Sequence, residues 1–193
     1  MSVVPGTLEA MSPQTPIPDA NYAPKWRGDT RTTLPTVAEE REFLVAYLDH
    51  YRATIEQKCT GIPVERLNDR TMPPSTMTLH GLVRHLAGVE WWWFHHQFAG
   101  DDTAHIYYSD EWPDQDFEDL SGPFEDALAT WHAMCARSRE IVATHALDDT
   151  GTIERTGESI SLRAIMLKMI SEYARHCGHA DFLREAIDGA TGH

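Results

Sequence analysis

The chain has 193 residues and carries 30 Asp plus Glu against 16 Lys plus Arg, a formal charge of −14. That length suits one domain with a real hydrophobic core, and the acidic excess repels phosphate backbones and anionic lipid heads, which argues against nucleic acid and membrane surfaces as partners. Three cysteines, Cys59, Cys135 and Cys177, are too few and too scattered for a disulfide framework; free thiols and, with no apolar run near the start long enough for a signal peptide or a span, a cytoplasmic location are expected.

Residues 1–35 mix Pro, Thr, Gly and Ser with few large aliphatics and read as an extended or partly disordered arm, with Trp26 as its anchor. Residues 36–189 form the domain. From Thr36 the pattern turns helical, with Phe43/Leu44, Tyr47, Tyr51 and Ile55 recurring at three- and four-residue steps until Gly61-Ile-Pro63. After Pro73-Pro74, Ser75 or Thr76 is the expected cap of a second helix, whose apolar positions Leu79, Leu82, Leu86, Val89 and Trp93 carry it to about Phe98. The stretch 100–120 is rich in Asp, Tyr and Pro without a period, which predicts a long, solvated crossover. A third helix opens near Ser121 or Gly122 with Pro123 in its first turn, runs along Phe124, Leu128, Trp131, Cys135, Ser138 and Val142, and fades near His145. A short extended pair is expected around Thr152 to Arg155. Ser161 then opens the last helix, whose seam Leu162, Met166, Met169, Tyr173, His176, Ala180, Leu183 and Ile187 ends at Gly189. Four long amphipathic helices predict an all-α four-helix bundle.

The last helix carries Glu172-Tyr-Ala-Arg-His176-Cys-Gly-His179. At about 100° per residue, His176 lies roughly 40° from Glu172 and His179 roughly 20° on its other side, so all three share a stripe. A carboxylate and imidazoles on one face suit a divalent metal such as zinc, whose catalytic sites take three protein ligands and leave a position open. His85, one residue before the seam residue Leu86, flanks its own helix in the same way and meets Glu172 and His176 if the two helices are neighbours. The purely structural reading pairs Glu172 with Arg175 or Arg84 and bonds His176 to Tyr173 or a backbone carbonyl. Other candidates are weaker. His96 lies roughly 16 Å along the helix from His85 and cannot share its ion, so His95 and His96 are expected at solvent or a subunit contact. Cys177 points about 100° away from His176. The acidic residues between Asp101 and Asp119 lack the order of an EF-hand and read as a solvated loop.

The residues around these histidines bear a resemblance. Val83-Arg-His85-Leu-Ala-Gly-Val-Glu90-Trp-Trp-Trp-Phe94 is similar to the second-helix signature of the DinB-like superfamily. The run from Glu172 to Gly189 resembles its fourth-helix signature in an actinobacterial branch. That superfamily includes S-transferases acting with mycothiol or bacillithiol and a mycothiol-dependent maleylpyruvate isomerase. Its usual triad is one His from helix two and an H-x-x-x-H pair from helix four. The resemblance implies a DinB-like bundle with a long crossover between helices two and three, and a metal held by His85, Glu172 and His176. Glu172 stands where many members have His, as in the isomerase, and a carboxylate is a competent zinc ligand. His179 falls where many relatives carry Gln, which makes it a fourth contact, an orienting donor or a catalytic base beside the open position.

Three functions follow as expectations. The first is a metal-dependent enzyme that activates a low-molecular-weight thiol, mycothiol by the resemblance, for S-transfer to, or isomerisation of, a small electrophile; zinc is the expected metal, with nickel or another transition metal as alternatives. The second has the metal activate water in a small-molecule hydrolase. The third is a non-catalytic, metal-binding stress-response protein whose ion ties helices two and four together. Extra Trp and His on helix two are compatible with a homodimer.

Overall fold

The structure is a computed structural model and describes residues 31–191. The expected N-terminal arm falls almost wholly on residues 1–30, and its anchor Trp26 lies outside the described residues.

Helix α1 spans Glu40–Cys59, with Glu40 and Glu42 in the first turn where the helix dipole favours negative charge. Its buried line is Leu44, Leu48, Ile55 and Cys59. The rings of Phe43, Tyr47 and Tyr51 form a half-buried ladder beside it, with centroids 6.4 and 6.5 Å apart. A 3₁₀ turn over Val64–Asn68 leads to α2, Leu79–Glu90. The cap is Thr78, not Ser75 or Thr76: Thr78 is extended and its Oγ1 accepts from the Gly81 amide at 2.9 Å. Ser75 instead closes a local turn by accepting from the Met77 amide. From Trp91 to Phe98 the same helix continues with π-type pairing.

The crossover is anchored rather than solvated along its length. A Cβ added at Gly81 would lie 2.8 Å from the Phe117 ring, and one at Gly88 2.8 Å from the Tyr108 ring, so two glycines of α2 let the loop lie against its backbone. The loop holds one helical turn, α3, Gln115–Glu118. Helix α4, Phe124–Thr144, starts later than Ser121 or Gly122, with Pro123 extended just before it rather than in its first turn, and ends at His145 as expected. Strands β1, Thr150–Thr152, and β2, Ser159–Ser161, pair antiparallel with Thr150 opposite Ser161. Residues expected to extend from Thr152 to Arg155 are instead mostly the turn of this ribbon, which Gly157 permits with φ 72°. Ser161 caps α5, Leu162–Asp188, by accepting from the Ala164 amide, and Gly189 stops it with φ 76°.

All eight positions of the expected α5 seam are buried. Helix α1 packs on α5 and α2 on α4, and α2 also touches α5 and α1. At the centre sits a polar knot drawn from all four long helices. Arg52 of α1 donates through Nε and Nη2, each at 2.8 Å, to the two carboxylate oxygens of Glu90 of α2. Tyr173 of α5 donates to Glu90 at 2.7 Å, and Trp131 of α4 donates to the Tyr173 oxygen at 2.8 Å. Burial alone would raise the Glu90 carboxyl, but the facing Arg52 guanidinium outweighs it and holds Glu90 ionised. No helix among the described residues is long and apolar enough to cross a membrane.

Candidate metal centre

The contact between α2 and α5 puts His85 against Glu172 and His176. His85 lies at a half-buried position of α2, with its neighbours Arg84 and Leu86 buried on either side. Its Nε2 is 3.3 Å from Glu172 Oε1, and His176 Nε2 is 3.1 Å from the same oxygen. One ligand atom from each residue lies within 4.8 Å of the others. The His85 and His176 rings are tilted at 57° to each other, with centroids 4.8 Å apart.

The remaining nitrogen of His85 is held from the crossover. His85 Nδ1 lies 2.7 Å from Asp116 Oδ2, and the Phe117 ring stacks on the imidazole at 5.2 Å. Asp116 is 3 % exposed, so it is no part of a solvated acidic loop. A buried carboxylate accepting the Nδ1 proton leaves the Nε2 lone pair directed at Glu172 and His176, the tautomer a metal ligand needs. Sequence reasoning missed Asp116 because the tract around it has no period. The available signal was Phe117, an apolar residue in an acidic run, marking where the loop meets the core.

On the other side, His179 Nδ1 lies 3.2 Å from His176 Nδ1. If His176 uses Nε2 towards the centre, its Nδ1 proton is donated to His179. Glu172 also pairs with the exposed Arg175, as the structural alternative expected, whereas Arg84 turns away to the Ser121 carbonyl and the Tyr107 ring. His176 makes no bond to Tyr173, whose hydroxyl belongs to the central knot.

The electrostatics follow from these partners. Bonds from His176 and His85 hold the Glu172 carboxyl far below the usual range, against the opposing effect of burial. Burial pulls the His85 imidazole down, but its bonds to Asp116 and Glu172 overcome this and raise it to about 9. Burial lowers His179, and His176 and Arg175 add to the effect. Without an ion, a protonated His85 therefore bridges two carboxylates and occupies the cationic role. The donor set, two imidazole nitrogens and a carboxylate oxygen with an oriented ring behind one of them, fits a divalent transition metal.

The other sequence candidates lie elsewhere. His95 is neither at solvent nor at an accessible face: it is buried, with Nε2 3.1 Å from the Met134 carbonyl and 3.2 Å from Ser138 Oγ of α4. His96 stacks on Trp91 and Trp92 and reaches Glu154 of the ribbon turn at 3.1 Å. The wider π-type turn places both histidines on packed faces. Cys177 points away from the centre towards the Tyr51 carbonyl, and all three cysteines are free and buried.

The fold is shared with the crystal structure of a conserved protein of a locus from Enterococcus faecalis, at a TM-score of 0.57 and 14 % identity, covering 79 % of this chain and 99 % of that one. No curated protein is significantly similar to the chain. The family model of mycothiol S-transferases matches residues 43–189, which include both helices of the candidate centre, and the chain belongs to the mycothiol S-transferase family.

Proposed function

We propose that residues 36–189 form a DinB-like four-helix bundle holding a divalent metal, zinc in the first instance, on His85 Nε2, a Glu172 oxygen and His176 Nε2. Its reaction is transfer of the sulfur of mycothiol to a small electrophile, or thiol-assisted isomerisation of one. The observation that supports this most directly is Glu172 Oε1 within 3.3 Å of His85 Nε2 and 3.1 Å of His176 Nε2, with Asp116 fixing the His85 ring from behind. An ion held by these three protein donors would keep room for one outside ligand. A divalent ion held there would lower the pKa of a thiol placed against it and keep it as thiolate, the nucleophilic form.

The protein's own groups do the rest. Asp116 and Phe117 fix the plane and tautomer of His85. His179, lowered by burial and by His176 and Arg175, would take the proton displaced from the thiol on Nδ1, giving up its contact with the His176 Nδ1 proton, and pass it to solvent, which its partly exposed position allows. In S-transfer the sulfur exchanges its bond to hydrogen for one to carbon, and the electron pair of the broken carbon bond leaves with the departing group.

The test is elemental analysis joined to an assay of mycothiol conjugation. The wild type is expected to carry one divalent ion per chain and to consume electrophile only with mycothiol present. His85→Ala should lose both properties, and retention of full metal content and full conjugation would sink the proposal. His179→Gln should keep its metal and lose about 10²- to 10⁴-fold in turnover, the usual size of a proton-transfer contribution. Turnover without any thiol would instead identify a hydrolase.

A further inference from the structure

Beyond the triad, the π-type segment, the crossover and the ribbon line an open cavity of about 270 Å³ formed by Trp92, Trp93, His105, Tyr108, Ile153 and Arg155. Four of its six lining residues carry aromatic rings. The Trp92 centroid lies 5.9 Å from His105, and His105 lies 4.9 Å from Tyr108. Trp92 and Trp93 are successive residues, yet both line the space. They belong to the π-type segment, where Ala99 N donates to the Phe94 carbonyl at 3.1 Å. Such widened turns recur at functional sites because they re-aim side chains that an α-helix would send apart.

The charges around this cavity are unusual for so acidic a chain. The Arg155 guanidinium lies over the Trp92 ring at 5.9 Å, and the Lys168 ammonium over the Trp93 ring at 4.7 Å. Neither forms an ion pair among the described residues. The acids closest in sequence are engaged elsewhere: Glu154 with His96, Glu158 with Thr156, and Glu172 with His85, His176 and Arg175. Two cations resting on indole faces leave their donors available to an anion, and a guanidinium matches a carboxylate with two parallel bonds.

The cavity lies further along the helix that carries His85, with Trp92 seven residues, roughly 10 Å, beyond it. Tyr108 packs on Gly88, three residues beyond His85, and Lys168 precedes Glu172 by four residues, about 6 Å along α5. We propose that this cavity binds a small aromatic carboxylate, its ring against the tryptophans and its carboxylate on Arg155, with the Lys168 ammonium on the Trp93 ring, and that this is the electrophile's seat. Its identity as the electrophile's seat rests on the thiol-transfer reading; its ligand chemistry does not.

Calorimetric titration of the metal-loaded protein with cinnamate, its neutral isostere cinnamamide and the non-planar 3-cyclohexylpropanoate separates charge from planarity. Cinnamate is expected to bind at least tenfold more tightly than either. Arg155→Gln should weaken cinnamate about tenfold and leave cinnamamide unchanged, with Arg155→Lys between; Arg155 is exposed on a turn, so its replacement leaves the core intact. Trp92→Leu should weaken both planar probes. His85→Ala should bind cinnamate as the wild type does, so a failure of the metal reading leaves this result standing. Equal cinnamate affinity in wild type and Arg155→Gln, no preference over 3-cyclohexylpropanoate, or displacement of cinnamate by mycothiol would each overturn the proposal.

Discussion

Asp116 touches no proposed ligand atom, yet it decides which nitrogen of His85 can bind. Its 2.7 Å contact with Nδ1 fixes the proton there, and its burial keeps water from competing. Asp116→Asn keeps the shape and removes the charge that makes Nε2 a strong donor. Metal affinity is expected to fall about 10- to 100-fold, the usual cost of losing such a partner, while His85→Ala abolishes binding. Competition with a chromophoric chelator measures both, and unchanged affinity in Asp116→Asn would show that His85 needs no orientation from the loop. The contrast between these residues explains what the sequence could reveal. His85, Glu172 and His176 lie on helices, where a period of 3.6 converts spacing into facing. Asp116 comes from a segment without a period, and only the glycine contacts at Gly81 and Gly88, which are three-dimensional, bring it to the site.

The helices themselves were legible where apolar seams and capping residues agree. Ser161, Gly189 and every seam position of α5 were readable in advance because each has a local cause: a hydroxyl cap, a left-handed stop, a buried stripe. The central knot was not, since Arg52 and Glu90 are charged residues on faces that the apolar period marks as neither seam nor surface. Glu90 is fully buried, and its charge is met by Arg52 and by donors from Tyr173, Ser138 and Cys135. Arg52→Met should therefore leave an uncompensated buried carboxylate and cost about 3–5 kcal/mol, a fall of roughly 10 °C in melting temperature for a domain of this size. Adding Glu90→Gln removes the stranded charge while keeping an acceptor for Tyr173, and should recover most of the loss. If the double variant melts as low as the single one, the knot acts through packing rather than charge.

Across the whole molecule, two histidines of α2, His80 buried and His85 half-buried, pull stability in opposite directions with pH once the ion is removed. Burial, with Arg84 nearby, lowers His80 to about 4, and its Nδ1 lies 2.8 Å from Asn68 Oδ1. The folded state thus refuses a proton that the unfolded chain accepts below about pH 6.5, so stability falls as pH drops from there towards 4. His85 is the reverse case: raised to about 9, its contribution is complete below about pH 6.5 and is lost as pH rises through 9. A shift of that size corresponds to about 3 kcal/mol. The chelated protein is therefore expected to melt highest near pH 6.5 and to lose stability on both sides. Metal binding must displace the His85 proton, so the increment it adds grows with pH, and the loaded protein's optimum moves to the alkaline side. Melting curves of chelated and zinc-loaded protein between about pH 5 and 9 read both effects, with the His85 midpoint as their reference. Asp116→Asn supplies the control: with one of the two carboxylates that raise His85 neutralised, the alkaline loss of the chelated protein should shrink. A chelated wild type as stable at pH 9 as near neutrality would mean that His85 does not carry the proton its two carboxylates are placed to hold.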